Sequence, residues 1–232
     1  MLDPEALAEL AARLGDSDDA ELRRRAGWRT PSHQSTLALT EYAGRSYVVK
    51  APRGGGLIRL LTAWLIRREY RIYRQLVNMP GAPECAGLLP GSRLVLEFKN
   101  GRALRDADIA DRQAYFADLL DILKRMHARG IAHGDLKNKD NILVLADGGA
   151  CVIDYGIAIR YKPGFHPINH ALFRLAQRLD FNAWVKHKYR RHVEHITPED
   201  AVYWQRSRLE DIWYRVRNRI QRMRGHATSR KP

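Results

Sequence analysis

The sequence has few cysteines and no long apolar run. Its two cysteines, Cys85 and Cys151, are far apart and lack metal-site spacing, so we interpret them as reduced core thiols. No apolar segment approaches the roughly 20 residues that a membrane-spanning helix needs. The first residues are acidic and do not resemble a signal peptide, so we expect a cytoplasmic protein.

Acidic residues are also scarce relative to basic ones. The chain has 26 Asp and Glu against 40 Lys and Arg, and residues 157–232 alone hold 17 Lys/Arg against 6 Asp/Glu. The net charge of +14 predicts an anionic partner, which is a nucleic acid, an anionic membrane surface or a phosphorylated substrate. A solvated, arginine-rich helix face is the alternative. With 232 residues and 45% hydrophobic residues, we expect one soluble domain of two lobes.

One stretch concentrates residues with catalytic chemistry. It reads His133-Gly134-Asp135, continues to Asn141, and after an apolar strand reaches Asp154-Tyr155-Gly156. Phosphoryl transfer from a nucleotide needs one acid to orient the attacking hydroxyl, and an amide and a second acid to hold the metal. The alternative is an ordinary surface turn, since Asn, Asp and Lys are common in turns before strands.

The N-terminal half shows strand periodicity between two helical segments. Asp3 is predicted to cap a helix that runs to about Leu14. Two strands around an Ala43-Gly44 turn end at Lys50, and a helix from Leu57 to Leu76 places Glu69 where it can pair with that lysine. Its apolar residues recur at helical spacing, at Leu57, Leu61, Trp64, Leu65 and Ile72. The arginines of this helix could also meet a membrane surface, and they are Arg59, Arg67, Arg68 and Arg71.

The segments on either side of the central stretch are mostly helical. A strand, Arg93–Phe98, breaks into a Gly-containing linker that resembles the hinge between the lobes of kinases, although ordinary strand-to-loop transitions look similar. The resemblance implies that the backbone at Glu97 and Lys99 would meet an adenine edge, with Leu96 behind. Amphipathic helices are predicted over 111–129, 171–178, 181–191 and 198–224.

Together these residues resemble the protein-kinase-like superfamily, over roughly Arg45 to Ile159. Within it, the passage from Lys50 to Leu61 is similar to small bacterial lipopolysaccharide kinases that act on Kdo or heptose. Small atypical protein kinases of the RIO type share the size and the missing activation segment. Aminoglycoside and choline kinases share His-Gly-Asp but have a larger helical C-lobe.

The resemblance implies an α+β, two-lobed fold, in which the N-lobe is an antiparallel sheet plus one helix and the C-lobe is reduced and mostly helical. We expect a helical extension (1–26), an N-lobe (27–98), a C-lobe (99–225) and a disordered basic tail (226–232). The ring of Tyr155 would pack beneath the helix behind the site, and His133 would brace the catalytic loop.

The resemblance also implies roles for individual residues with ATP and Mg²⁺ as cofactors. Asp135 would orient the acceptor hydroxyl, and Lys137 would neutralise the transferred phosphoryl group. Lys50, steadied by Glu69, would hold the nucleotide phosphates. The metal ligands would be Asp154 and either Asn141 or Asp140.

Three features depart from the kinase pattern. Asn141 follows Asp135 by six residues rather than five, so either Asn141 or Asp140 could supply the metal ligand. No Gly-x-Gly-x-x-Gly motif exists, and residues 30–35 stand in its place. Gly134 replaces the arginine that pairs with a phosphorylated activation loop, and Ala-Pro-Glu is missing, so we expect constitutive competence.

Three hypotheses follow for function. The first is a kinase for a sugar hydroxyl of a lipopolysaccharide precursor, peripherally bound to the inner face of the cytoplasmic membrane. The second is a small atypical Ser/Thr kinase with an acidic protein substrate. The third is a pseudokinase that binds nucleotide without transferring phosphate. Nucleic acid is the less favoured partner, although under the second hypothesis the basic region could bind an acidic or ribonucleoprotein partner.

Overall fold

The computed structural model describes residues 3–13, 35–190 and 192–205. Its longer helices are α1 (Pro4–Arg13), α2 (Gly56–Gln75), α3 (Arg112–Ala128) and α4 (Pro167–Lys188), followed by the short α5 (Pro198–Ala201). Its strands are β1 (Ser35–Tyr42), β2 (Arg45–Pro52), β3 (Cys85–Leu89), β4 (Arg93–Glu97), β5 (Gly101–Ala103), β6 (Ile131–Ala132), β7 (Ile142–Leu145), β8 (Ala150–Val152) and β9 (Ile159–Arg160).

The N-lobe is built on a four-stranded antiparallel sheet with the order β1-β2-β4-β3. The predicted hairpin is present, and its Gly44 has a φ of 72°, which a glycine adopts without steric cost. Successive side chains of a strand point to opposite faces of the sheet. Val49 therefore lies on one face, while Val48 and Lys50 lie on the other.

A helix covers each face of this sheet. On one face, the fully buried Leu10 of α1 packs in a cluster with Val49 and Val95. The predicted cap is also present, because the Ala6 N–H donates to Asp3 Oδ1 at 2.8 Å. On the other face, α2 contributes Ile66, Ile72 and Tyr73 to the main core, where Leu94 and Leu96 of β4 meet them. The predicted end of α1 near Leu14 lies outside the described residues.

Helix α2 is turned differently from what its apolar periodicity suggests. The residues buried on α2 are Thr62, Ile66, Glu69, Ile72 and Tyr73. Leu57, Leu61 and Trp64 are exposed instead. The physical reason is the position of Glu69, which must face inward to reach Lys50 across the sheet.

The C-lobe packs helices α3 and α4 around the fully buried Trp184, whose Nε1–H donates to the Phe116 carbonyl at 2.7 Å. Helix α3 begins as predicted, because Asp111 caps it by accepting the Ala114 N–H at 2.9 Å. Two small sheets, β5-β7-β8 and β6-β9, carry the loops of the central stretch. The α+β, two-lobed expectation is confirmed.

Two predicted C-terminal helices need correction. The segments 171–178 and 181–191 form one helix, α4, because no Gly or Pro interrupts the chain between them. Of the predicted helix 198–224, the described residues are helical only over Pro198–Ala201, and its part from 206 to 224 lies outside the described residues. Asn182 binds both backbone groups of Gln205, with Nδ2 to the Gln205 carbonyl at 2.7 Å and Oδ1 to its N–H at 3.0 Å, so the helical hydrogen bonding does not run on through Gln205.

Within the described ranges, no helix has the length and apolar character needed to cross a membrane. The predicted lobe boundary at 98/99 stays a prediction. The boundaries at 26/27 and 225/226, the disordered tail and most of the segment that replaces the Gly-rich loop lie outside the described residues.

Candidate active site

A buried lysine joins three separate elements at the centre of the site. Lys50 on β2 is 7% exposed, and its Nζ lies 2.7 Å from Glu69 Oε1 on α2. The same Nζ lies 2.9 Å from Asp154 Oδ1, in the loop that follows β8. The expected Lys50–Glu69 ion pair is therefore present, and it extends to the acid of the Asp-Tyr-Gly turn.

The opposite charges of Lys50 and its two partners, Glu69 and Asp154, stabilise one another where little water reaches them. We call these three residues the triad. Burial lowers the pKa of Lys50, but Asp154 and Glu69 outweigh it and the net pKa is raised, so the ammonium stays protonated. The pKa of Asp154 is lowered, chiefly by Lys50. The pKa of Glu69 is raised because burial outweighs its lysine partner. Asp154 is the accessible member, with about half of its side chain (49%) exposed.

The backbone of Asp154 adopts an uncommon conformation. Its φ of 63° lies in the left-handed region, which non-glycine residues enter rarely and which often marks functional sites. The next residue, Tyr155, is fully buried and meets Tyr73 of α2 edge-to-face with ring centroids 5.1 Å apart. This packing beneath α2 is the arrangement expected from the sequence.

A second contact holds α2 against the turn that carries Asp154. Arg68, adjacent to Glu69, donates from Nη1 to the Gly156 carbonyl at 2.8 Å and from Nη2 to the Ala158 carbonyl. Arg68 is therefore bonded inside the protein, unlike the role at a membrane surface that was suggested for it among the arginines of this helix. Its guanidinium instead fixes the distance between the two carboxylates that contact Lys50.

The structure brings Asp135 and Asn141 together. Asn141 Nδ2 lies 3.1 Å from the Asp135 carbonyl and 3.1 Å from Asp135 Oδ2. Asn141 therefore still reaches Asp135, although this loop has one residue more than the kinase pattern. Asp140 points elsewhere, and its Oδ1 lies 2.7 Å from Arg105 Nη2. Lys137 is exposed beside this loop.

His133 braces the loop from inside. Its Nδ1 accepts the Asp135 N–H at 3.3 Å, so the ring proton sits on Nε2, which donates to the Ile153 carbonyl at 3.0 Å. His133 thus ties the loop of Asp135 to the residue that precedes Asp154. Gly134 beside it has a φ of 82°, a conformation that disfavours the arginine found there in regulated protein kinases.

Helix α4 holds the same loop from behind. Asp180 is fully buried, and it accepts the Gly134 N–H on Oδ1 and the His133 N–H on Oδ2, each at 2.8 Å. Two helical turns later, His187 Nε2 lies 2.8 Å from the Leu136 carbonyl. The two residues lie on one face of α4 and fix both ends of the segment that includes Asp135.

The linker that follows β4 agrees only in part with the predicted contacts to an adenine edge. The Glu97 N–H donates to the Glu84 carbonyl at 2.8 Å, so an adenine edge could meet Glu97 only at its carbonyl. Its side chain pairs with Lys99, with Nζ to Oε1 at 2.9 Å. Leu96 lies behind, in the main core. Beside the linker, an apolar cluster is formed by Leu37, Leu39, Val48 and Phe98.

Three residues of the site were missed in the sequence, namely Arg68, Asp180 and His187. Asp180 and His187 are polar residues seven positions apart on the face of α4 that carries the buried Trp184. That spacing was a usable signal for a buried polar face. Arg68 was counted as one of several arginines, and nothing in its spacing sets it apart from the others.

No protein-family model matches the chain. Among curated proteins, the chain is 30% identical to calcium-dependent protein kinase 12 of Oryza sativa subsp. japonica over 143 residues, which is 56% of this chain and 27% of that kinase. It is 43% identical over 78 residues to sperm motility kinase 3A of Mus musculus, or 31% of this chain and 15% of that protein. The chain thus spans less than a third of the length of either relative.

Solved structures match over more of the chain. Rio2 kinase from Chaetomium thermophilum aligns with a TM-score of 0.58 and 17% identity over 88% of this chain and 68% of that one. Its ADP/Mg²⁺-phosphoaspartate complex aligns with a TM-score of 0.56 and 18% identity, over 88% and 66% of the two chains. The fold is therefore protein-kinase-like, and the likeness to Rio2 kinase is one of fold.

The bonds of Asp180 predict a large effect on stability. In Asp180→Asn, an amide NH₂ replaces one of the two oxygens that accept backbone N–H groups. The buried NH₂ then faces the N–H of His133 or of Gly134, and neither group can accept the other's hydrogen. We expect the free energy of unfolding to fall by about 3 kcal/mol. Urea denaturation followed by circular dichroism measures the change.

The matched control is Asp121→Asn on α3, which removes an exposed charge that pairs with Arg125 one turn away. This change should cost roughly 0.5 kcal/mol or less. Equal losses in the two variants would contradict the assignment of Asp180 as the anchor of the loop that carries Asp135.

Proposed function

We propose that the chain is an ATP- and Mg²⁺-dependent kinase that transfers the γ-phosphoryl group to a hydroxyl. The observation that carries the proposal is the convergence of Lys50, Glu69 and Asp154 within hydrogen-bonding distance, beside the paired Asp135 and Asn141. Phosphoryl transfer depends mostly on positioning and charge stabilisation, and this constellation supplies both.

Lys50 is the candidate ligand of the nucleotide phosphates. Its ammonium is held in place by Glu69, and its raised pKa keeps the charge at any physiological pH. Asp154 is the exposed partner of the triad, so it can leave Lys50 while Glu69 stays. Phosphate oxygens would then replace the Asp154 carboxylate on Nζ.

The donor set fits a magnesium ion, which prefers oxygen ligands. Asp154 offers a partly exposed carboxylate. Asn141 uses Nδ2 to bind Asp135, which leaves Oδ1 as its ligand atom. Asp140 is the less suitable candidate, because Arg105 neutralises its carboxylate. When bound, the metal would neutralise charge on the phosphates.

Asp135 is the candidate group that orients the acceptor hydroxyl. Its Oδ2 accepts a hydrogen bond from Asn141, and its backbone is fixed by His133. The other carboxylate oxygen can accept the hydroxyl proton as phosphate transfer proceeds. Lys137 lies two residues further along on the exposed side of the loop, where it can meet the transferred phosphoryl group.

The nucleotide base has a candidate site at the linker. The apolar cluster of Leu37, Leu39, Val48 and Phe98 supplies a surface on which a purine can pack, and the Glu97 carbonyl lies at the same linker. Lys99 pairs with the Glu97 side chain there. The structure of the Rio2 kinase complex with ADP and Mg²⁺ supports nucleotide and magnesium binding by this fold.

For the acceptor, we propose a sugar hydroxyl of a lipopolysaccharide inner-core precursor. The similarity of the Lys50–Leu61 passage to that kinase group and the positive net charge of the chain support this choice. A protein hydroxyl is the second candidate, favoured by the matches to protein kinases. A pseudokinase is the third, and the first experiment below distinguishes it.

Removing the carboxylate of Asp135 or of Asp154 should strongly reduce phosphate transfer. In Asp135→Asn and Asp154→Asn we expect Mg²⁺-dependent transfer of labelled phosphate from ATP to fall by about 10²-fold or more, since each loses a charge used in the transition state. Purified lipopolysaccharide and casein serve as alternative acceptors, and labelling of the first alone is the expected result. Scintillation counting of the separated acceptors measures it.

The control is Asp147→Asn, which removes an exposed carboxylate that accepts the Gly149 N–H in the β7–β8 turn. It should transfer phosphate at the unaltered rate. Phosphate transfer that persists in both site variants would contradict the assignment of Asp135 and Asp154 to the site. Nucleotide binding without any transfer by the unaltered chain supports the pseudokinase instead.

The choice between Asn141 and Asp140 is tested by the magnesium requirement. Asn141→Ala should raise the Mg²⁺ concentration for half-maximal binding of a fluorescent ADP analogue by roughly tenfold, because a ligand is lost. Asp140→Asn is the matched change one residue away, and it should leave the requirement within about twofold. The opposite order would assign the metal to Asp140.

A further inference from the structure

The outer face of helix α2 carries large apolar side chains at its N-terminal end. Leu57, Leu60, Leu61 and Trp64 are between 56% and 83% exposed. Their spacing of i, i+3, i+4 and i+7 places them on a single helix face. We call these four residues the α2 apolar face. Contiguous exposed apolar residues of this kind mark interaction sites.

The exposed charges of α2 itself and of the loop before it are of one sign. Within α2 the single acid is Glu69, which is buried and bound to Lys50. The exposed charged side chains of the helix and of the loop before it are all arginines, and they are Arg53, Arg59, Arg67, Arg71 and Arg74. Arg67 and Arg71 continue the same stripe beyond Trp64, because they follow it by three and seven positions.

The same combination occurs in the segment that begins beside α2. Arg68 ties α2 to Gly156 and Ala158, and the sequence from Ile157 to Leu179 contains no acid. Phe165 and Ile168 are its most exposed large side chains. Arg160, Lys162 and Arg174 are exposed in the same segment. Apolar and basic side chains thus recur on both sides of the Arg68 contact.

We propose that the α2 apolar face binds an anionic lipid bilayer, with α2 lying in the plane of the interface. Leucine and tryptophan side chains would enter the boundary between headgroups and acyl chains, while the flanking arginines would meet lipid phosphates. An all-basic rim around an apolar stripe complements an anionic membrane, which offers both chemistries over a flat area. This inference goes beyond the proposed function and does not depend on it.

The Lys50–Glu69 contact fixes the rotation of α2, and this rotation determines how the α2 apolar face would meet a bilayer. Because Glu69 must face Lys50, the apolar face is held outward in the folded protein, and no unfolding is needed to expose it. Binding would place the bilayer beside the helix that positions the candidate phosphate-binding lysine.

The test is cosedimentation of the full chain with vesicles of phosphatidylcholine alone or mixed with phosphatidylglycerol. The unaltered protein should bind the mixed vesicles and lose binding at high salt. Leu60→Ser/Trp64→Ser should reduce the partition coefficient by roughly tenfold or more. The matched control, Val77→Ser/Val202→Ser, alters two exposed valines away from the face and should bind as the unaltered chain does.

A second measurement separates insertion from adsorption by charge alone. The tryptophan emission of the unaltered chain should shift to shorter wavelength on mixed vesicles, and Trp64→Phe should remove most of that shift. Unfolding curves should coincide for all variants, since the changed positions are exposed. Asp135→Asn should still bind vesicles, so failure of the kinase proposal leaves this test intact.

Two results would overturn the inference. One is equal vesicle binding by the unaltered protein and Leu60→Ser/Trp64→Ser, with no Trp64-dependent spectral shift. The other is a dimer in sedimentation velocity that the same double substitution dissociates, while vesicle binding is unchanged. That result would assign the face to a second copy of the chain.

Discussion

The contact on which the rest of the structure depends is the ammonium of Lys50 between two carboxylates. Lys50 and Glu69 are nearly buried, so each charge would be costly without the other, and Asp154 completes the neutralisation. Since the three residues come from β2, α2 and the β8 loop, one ion cluster fixes the position of three elements. It also sets the rotation of α2, and its outer apolar face follows from that rotation.

The loop that carries Asp135 is positioned by a different set of contacts. His133 links it to the strand that precedes Asp154, while Asp180 and His187 hold it from α4. The loop therefore keeps Asp135 in place through backbone groups on both sides. The extra residue before Asn141 is accommodated because its side-chain amide still reaches Asp135. The expectation of constitutive competence stays a prediction.

Much of the fold and of the site's layout follows from local sequence. The β1–β2 hairpin, the cap of α1 and the pairing of Lys50 with Glu69 were predicted, because each rests on short-range patterns or a recognised motif. The role of Asp180 was missed because its partners, His133 and Gly134, lie more than 40 residues earlier. Its spacing to His187 marks a polar helix face, but no local pattern identifies what that face binds. Periodicity correctly grouped Leu57, Leu61 and Trp64 on one face of α2, but only tertiary contacts decide whether a face is buried. The end of α5 was missed for the same reason, because Asn182 acts from another helix.

The most direct test of the central claim is a crystal structure of the chain grown with ADP and Mn²⁺, with the ion located by anomalous scattering. The account predicts one strong anomalous peak bound by Asp154 Oδ and Asn141 Oδ1, with Lys50 Nζ on a phosphate oxygen and Glu69 still at Lys50. A peak remote from Asp154, or phosphates that do not contact Lys50, would contradict it.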